Sequence, residues 1–118
     1  NKKVKFSMKG SEVFKFAVKV ISKSINEILY NNDLSIDEID YVISHQANQR
    51  ILNMAARSLK CDSDKFLSNV KDYGNTSSAS VPILLDEANK NGLLKDKMKI
   101  IIVAFGGGLS YGASLLQW

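Results

Sequence analysis

The segment Lys99-Ile100-Ile101-Ile102-Val103-Ala104-Phe105 constrains the fold more tightly than any other part of the chain. Its β-branched residues run consecutively instead of alternating with polar ones, which is the pattern of a central strand. Gly106-Gly107-Gly108 then makes a tight connection, and Leu109 to Trp118 returns as a last strand, antiparallel to the first. A strand of this kind must be paired and covered by the rest of the chain.

The upstream patterns supply that cover. Lys3 to Met8 alternates like a short strand, Gly10 breaks the pattern, and Ser11-Glu12 opens a helix. From Val13 to Tyr30 the residues Val13, Phe14, Ala17, Val18, Ile21, Ile25, Ile28 and Leu29 recur at three- and four-residue steps, with Lys15, Lys19, Lys23 and Asn26 opposite them. Asn31-Asn32-Asp33 ends that helix, and Ser35-Ile36-Asp37-Glu38 has capping-box spacing. Tyr41-Val42-Ile43-Ser44 reads as a short buried strand. A second helix is expected from about Ala47 to Leu59, with Ile51, Leu52, Met54, Ala55 and Leu59 inward. Asp62 to Lys65 reads as a capped turn and Phe66 to Val70 as a strand. Gly74 to Ser80 feeds a third helix, with Pro82 early in it and Asn91-Gly92 closing it. The expectation is an α/β layer fold with a mixed five-stranded sheet whose last strand is antiparallel.

At 118 residues the chain is one domain. Hydrophobic residues at 45% and charged residues at 24% make a globular balance, not a disordered one. The longest apolar run is strand-sized, so no membrane span is expected, and the amino terminus lacks signal-peptide character. The chain does not open on Met and is expected to be cut from a longer polypeptide. The single cysteine excludes an internal disulfide framework and fits a reducing cytoplasm. A net charge of +4 favours an acidic partner, but scattered lysines and the absence of an aromatic stacking platform argue against nucleic acid.

Few residues carry candidate chemistry. His45, the only histidine, stands where the strand Tyr41–Ser44 runs out, and side chains at the carboxyl end of a strand face the usual site crevice of an α/β sheet. It reads equally as a hydrogen-bonded structural histidine. Asn75, in Gly74-Asn75-Thr76, offers an uncharged amide donor for a developing oxyanion, or is a turn residue before a helix. The glycines at 106–108 expose backbone N–H groups that an oxyanion hole uses, or form only a hairpin turn; their spacing does not fit a dinucleotide fingerprint. Cys61 precedes Asp62, an unfavourable setting for a thiolate, and reads as structural. One His and one Cys give no metal cluster. Asp37, Glu38 and Asp40 read as a solvated turn.

Taken together, His45-Gln46-Ala47-Asn48-Gln49-Arg50, Tyr73-Gly74-Asn75-Thr76-Ser77-Ser78-Ala79-Ser80-Val81-Pro82 and Ala104-Phe105-Gly106-Gly107-Gly108-Leu109-Ser110-Tyr111-Gly112 resemble β-ketoacyl-acyl carrier protein synthase III, in the same order and at near-identical separations. Gly10-Ser11-Glu12-Val13-Phe14 is similar to the family's stretch before its long helix. The resemblance implies a thiolase-type fold of two similar halves. Residues 1–118 would be the C-terminal half, and the N-terminal half that carries the nucleophilic cysteine is absent.

It implies an acyltransferase that initiates fatty acid biosynthesis: the cysteine takes an acyl group from acyl-CoA, and decarboxylated malonyl-acyl carrier protein attacks the thioester. His45 and Asn75 match the residues that complete a Cys-His-Asn triad, and Gly107 matches the glycine whose N–H shares the oxyanion hole. Gly10 and Asn48 fall where the family contacts CoA and its pantetheine arm, Arg50 on the surface that docks the acidic carrier protein, and Phe105 and Leu109 on the route to the acyl pocket. The resemblance further implies a cytoplasmic homodimer with no cofactor and no metal, and a fragment that is inactive without the cysteine. Ser11, where the family often has Asn, and Gln49, where an aliphatic residue is common, depart from the pattern. Two alternatives stand beside this reading: a related enzyme of secondary metabolism, and a non-catalytic module binding a carrier protein or a dimer partner.

Overall fold

In the computed structural model, which describes residues 9–118, the first element is helix α1 (Gly10–Asn31). The strand expected over Lys3–Met8 lies outside the described residues. Ala17, Val20, Ile21, Ile25 and Leu29 are buried along one face of α1, while Lys15, Lys19, Lys23 and Asn26 stay exposed. Gly10 is the first helical residue, so the helix begins one residue earlier than its Ser-Glu signal suggests. Asn32 closes it, its side-chain amide donating to the Ile28 carbonyl at 2.8 Å. In the 3₁₀ turn Ile36–Glu38 the expected capping box forms, with the Ser35 N–H donating to the Glu38 carboxylate at 2.7 Å.

Strand β1 (Tyr41–Ser44) leads to helix α2 (Gln49–Ser58). The 3₁₀ turn Ser63–Lys65, the short helix α3 (Val70–Tyr73) and the 3₁₀ turn Ser77–Ala79 follow. Helix α4 (Ser80–Lys90) then connects to strands β2 (Lys99–Gly106) and β3 (Ser110–Gln117). The sheet order is β1-β2-β3, with β1 parallel to β2 and β3 antiparallel to it. The isoleucine run is thus the central strand.

The pairing register sorts the side chains by face. Val42, opposite Ile101, joins the core under α1 and α2 together with Val103, whereas Ile43 and Ile100 pack against Leu84 and Ala88 of α4 on the other face. Helices cover both sides, and Ile100, Ile101 and Val103 are fully buried. The sheet among the described residues has three strands, not the expected five. Phe66 makes one parallel bridge to Val42, and the N–H of Leu67 donates to the Val42 carbonyl at 3.0 Å. The chain then turns into α3, so the strand expected over Phe66–Val70 is a single rung.

Two further expectations are corrected. Helix α2 starts at Gln49 and not near Ala47, because Asn48 caps it, its Oδ1 accepting the Ile51 N–H at 3.0 Å. Met54 is exposed, because at about 100° per residue it lies roughly 130° from the centre of the arc holding Ile51, Leu52, Ala55 and Ala56. Lys65 Nζ joins the two 3₁₀ turns flanking β1 and α2, donating to the carbonyls of Ile36 at 3.0 Å and Ile39 at 2.6 Å.

Candidate functional site

Tyr41 and Ile43 project toward α4, and the alternation carries His45 to the same side. The His45 N–H continues the β1–β2 ladder, donating to the Val103 carbonyl at 2.9 Å. Its Nδ1 lies 2.7 Å from Ser80 Oγ, on the first residue of α4. The Phe105 ring meets the imidazole edge to face, with centroids 5.1 Å apart and planes at 89°. The imidazole is half-buried, and this burial lowers its pKa from the ordinary 6.5. The neutral ring is therefore the favoured form near pH 7.

The next residue anchors this position. Gln46 is fully buried, its Nε2 donating to the carbonyls of Ser44 at 2.9 Å and Leu67 at 3.4 Å and its Oε1 accepting the Asn69 N–H at 3.0 Å. Its backbone N–H donates to Ser80 Oγ at 3.3 Å. Sequence reasoning assigned no role to Gln46 or Ser80. The available signal was a strongly polar Gln two residues after a buried strand, a residue that has to be hydrogen-bonded where it sits.

Asn75 occupies a constrained loop. Gly74 before it has φ 68° and ψ −160°, a conformation open almost only to glycine, and Ser77 after it also has positive φ, 56°. The Ser77 N–H donates to Asn75 Oδ1 at 2.9 Å. That bond orients the amide of this exposed side chain, whose NH₂ is its donor group. The turn role and the donor role of Asn75 are both compatible with this geometry. No hydrogen bond joins Asn75 to His45 among the described residues; they are linked through the segment that ends at Ser80.

The glycine triplet forms the β2–β3 hairpin, closed by the pairing of Gly106 with Ser110. Gly108, at φ 109°, requires glycine for its backbone. A Cβ on Gly107 would meet nothing within 4 Å, so the packing of this chain does not account for glycine there. Because β1 and β2 are parallel, this hairpin and His45 lie at the same carboxyl end of the sheet. Leu109 is exposed at the hairpin tip.

The remaining candidates gather where α1 and α2 begin. The Arg50 guanidinium sits 5.4 Å from the ring centroid of Phe14, one turn after Gly10, and Asn48 immediately precedes α2. Gly10 is exposed with open space around it. Gln49, the departure noted above, bridges Asn53 Oδ1 at 2.9 Å and the Ser68 hydroxyl at 2.6 Å. Phe14, Lys15, Val18, Lys19 and Met54 line a shallow groove between α1 and α2. Cys61 is partly exposed, and burial raises its pKa, which keeps it a thiol.

Comparison with known proteins gives this geometry a family. The model of the family described as 3-oxoacyl-[acyl-carrier-protein (ACP)] synthase III C terminal matches residues 29–118. The beta-ketoacyl-[acyl-carrier-protein] synthase III of Clostridium novyi is 53% identical over 114 residues, or 97% of this chain and 35% of that protein. The one from Clostridium acetobutylicum is 51% identical over the same shares. The crystal structure of 3-oxoacyl-[acyl-carrier-protein] synthase III from Aquifex aeolicus superposes with a TM-score of 0.91 at 44% identity, covering 95% of this chain and 36% of that one. This likeness agrees with the thiolase-like architecture. The chain spans about a third of the length of the curated relatives it matches. On these matches, the chain belongs to the C-terminal domain family of 3-oxoacyl-[acyl-carrier-protein] synthase III.

Proposed function

We propose that this chain is the C-terminal half of a condensing enzyme, an acyltransferase that initiates fatty acid biosynthesis from acyl-CoA and malonyl-acyl carrier protein. One observation carries the reading. The parallel pairing of β1 and β2 sets His45 and the Gly106–Gly108 hairpin at one end of the sheet, with Phe105 against the imidazole. Relatives of this chain are named for that synthase activity.

In the proposed reaction a cysteine of a preceding half holds the acyl group as a thioester. Loss of CO₂ from the malonyl group leaves an electron pair that delocalises onto its thioester oxygen. His45 and the NH₂ of Asn75 donate hydrogen bonds to that oxygen, stabilising the enolate. The pair then attacks the acyl thioester, whose oxyanion is held by the Gly107 N–H and the cysteine's own N–H, and cysteine thiolate leaves. Arg50, with Lys15 and Lys19 beside the α1–α2 groove, makes a basic face suited to an acidic carrier protein. Asn48 and Gly10, at the two helix starts, are proposed to meet the pantetheine arm. The enzyme is proposed to work as a cytoplasmic homodimer; among the described residues no helix is long and apolar enough to cross a membrane.

The test is malonyl decarboxylation by the full-length enzyme carrying His45→Ala or Asn75→Ala. Both variants should lose decarboxylation, by roughly a hundredfold or more, while cysteine acylation by acyl-CoA persists. Decarboxylation at the unmodified rate in both variants overturns the reading.

A further inference from the structure

Ser80 is 2% exposed, and its hydroxyl touches two groups, the backbone N–H of Gln46 at 3.3 Å and His45 Nδ1 at 2.7 Å. A hydroxyl carries one proton and two lone pairs. The Gln46 N–H has no choice but to donate, and it takes one lone pair. Two arrangements remain for the shorter contact. In the first, the hydroxyl proton goes to Nδ1, and every polar atom of the trio is satisfied. In the second, Nδ1 carries the proton and donates to the other lone pair, which leaves the serine proton buried with no acceptor among the described residues. An orphaned buried donor costs about 1–3 kcal/mol, so the first arrangement wins.

We propose that Ser80 is a positioning residue whose hydroxyl, oriented by the Gln46 N–H, donates to His45 Nδ1 and fixes the neutral ring with its proton on Nε2. The lock is stiff at both ends. On one side Gln46 is bolted by its buried amide to Ser44, Leu67 and Asn69. On the other, Ser80 begins α4, a helix that starts without a side-chain cap, so the serine that opens it turns its hydroxyl to His45 instead. The result is that His45 presents a fixed N–H donor, and not a lone pair, on its remaining nitrogen. Its use in enolate stabilisation rests on the function proposed above; the tautomer itself does not.

His45 is the only histidine of the chain, so nitrogen-15 labelling of histidine gives one unassigned pair of ring signals. The expected spectrum at pH 7.5 has a protonated Nε2 and an unprotonated Nδ1 shifted by an accepted hydrogen bond. Ser80→Ala should move Nδ1 toward the value of a free imidazole, and Ser80→Thr should keep the shift. A wild-type ring protonated on Nδ1 overturns the inference whether or not any variant folds, as does a Ser80→Ala spectrum identical to wild type. In the full-length enzyme, Ser80→Ala should lower kcat for malonyl decarboxylation on the order of tenfold with KM little changed, and Ser80→Thr should restore it. The expected spectrum together with decarboxylation at the unmodified rate by both His45→Ala and Asn75→Ala would overturn the proposed function while leaving the tautomer lock standing.

Discussion

His45 ties the site to pH. Its pKa is lowered by burial in the folded chain and stands near 6.5 when unfolded. Between the folded and unfolded values the unfolded state binds more protons. The stability associated with this group is therefore complete above about pH 6.5 and is lost as pH falls toward the folded value. Urea unfolding at pH 7.5 and pH 5.5 should show a loss of stability on acidification that is smaller in His45→Gln; an equal loss in both would exclude His45 as the source. Gly74 and Gly107 separate backbone need from chemical need. Gly74→Ala forces a side chain into φ 68°, ψ −160° and should cost about 1–3 kcal/mol. Gly107→Ala meets open space and should leave the melting temperature of the chain nearly unchanged. A large loss at Gly107 would assign that glycine to the fold.

At the scale of elements, Asn48 joins an observed capping role to a proposed pantetheine contact. Its Oδ1 caps α2, so Asn48→Ala should destabilise the chain by about 1 kcal/mol in chemical denaturation. Asn48→Asp keeps the capping oxygen and loses the NH₂, so it should hold stability while raising KM for CoA substrates if the proposed pantetheine contact exists. Helix periodicity made α1, α2 and α4 legible in the sequence, because burying one stripe leaves a strong 3.6-residue signature. The strand expected over Phe66–Val70 failed for a reason periodicity does not encode. After Phe66 and Leu67, the backbone of Asn69 is claimed by the Gln46 side chain, a partner 23 residues away. Of the candidate site, His45 and Asn75 are marked by residue type and setting and Gly107 only by the family resemblance, whereas Ser80 looks like any small residue in a polar loop until α4 is placed against β1.

For the whole molecule, the two apolar clusters on opposite faces of the sheet meet at β2. Ile101 is fully buried among α1, α2 and Val42, and Ile101→Ala should cost about 2–5 kcal/mol, read as a drop in the urea midpoint. The surface holds a different kind of information. Leu109, Tyr111 and Trp118, all on or beside β3, are exposed at 64%, 47% and 37%. If the proposed preceding half also covers this region, the isolated chain should self-associate, and sedimentation should show mass rising with concentration. A strict monomer at high concentration would speak against a covered face there.

The parallel register of β1 and β2 has a consequence for how the chain acquires its site. Asp40 Oδ2 receives the Lys99 N–H across a sequence separation of 59, and His45 is held to Val103 by the same ladder. Closing a loop of that length costs roughly 3–4 kcal/mol in entropy before any pairing repays it. Local helices such as α1 form on short timescales, but His45 and the glycine hairpin come to one edge only when this long-range pairing closes. Assembly of the proposed site is therefore tied to the longest-range pairing described here, and a partly folded chain with its helices formed would still not bring His45 and the glycine hairpin to one edge.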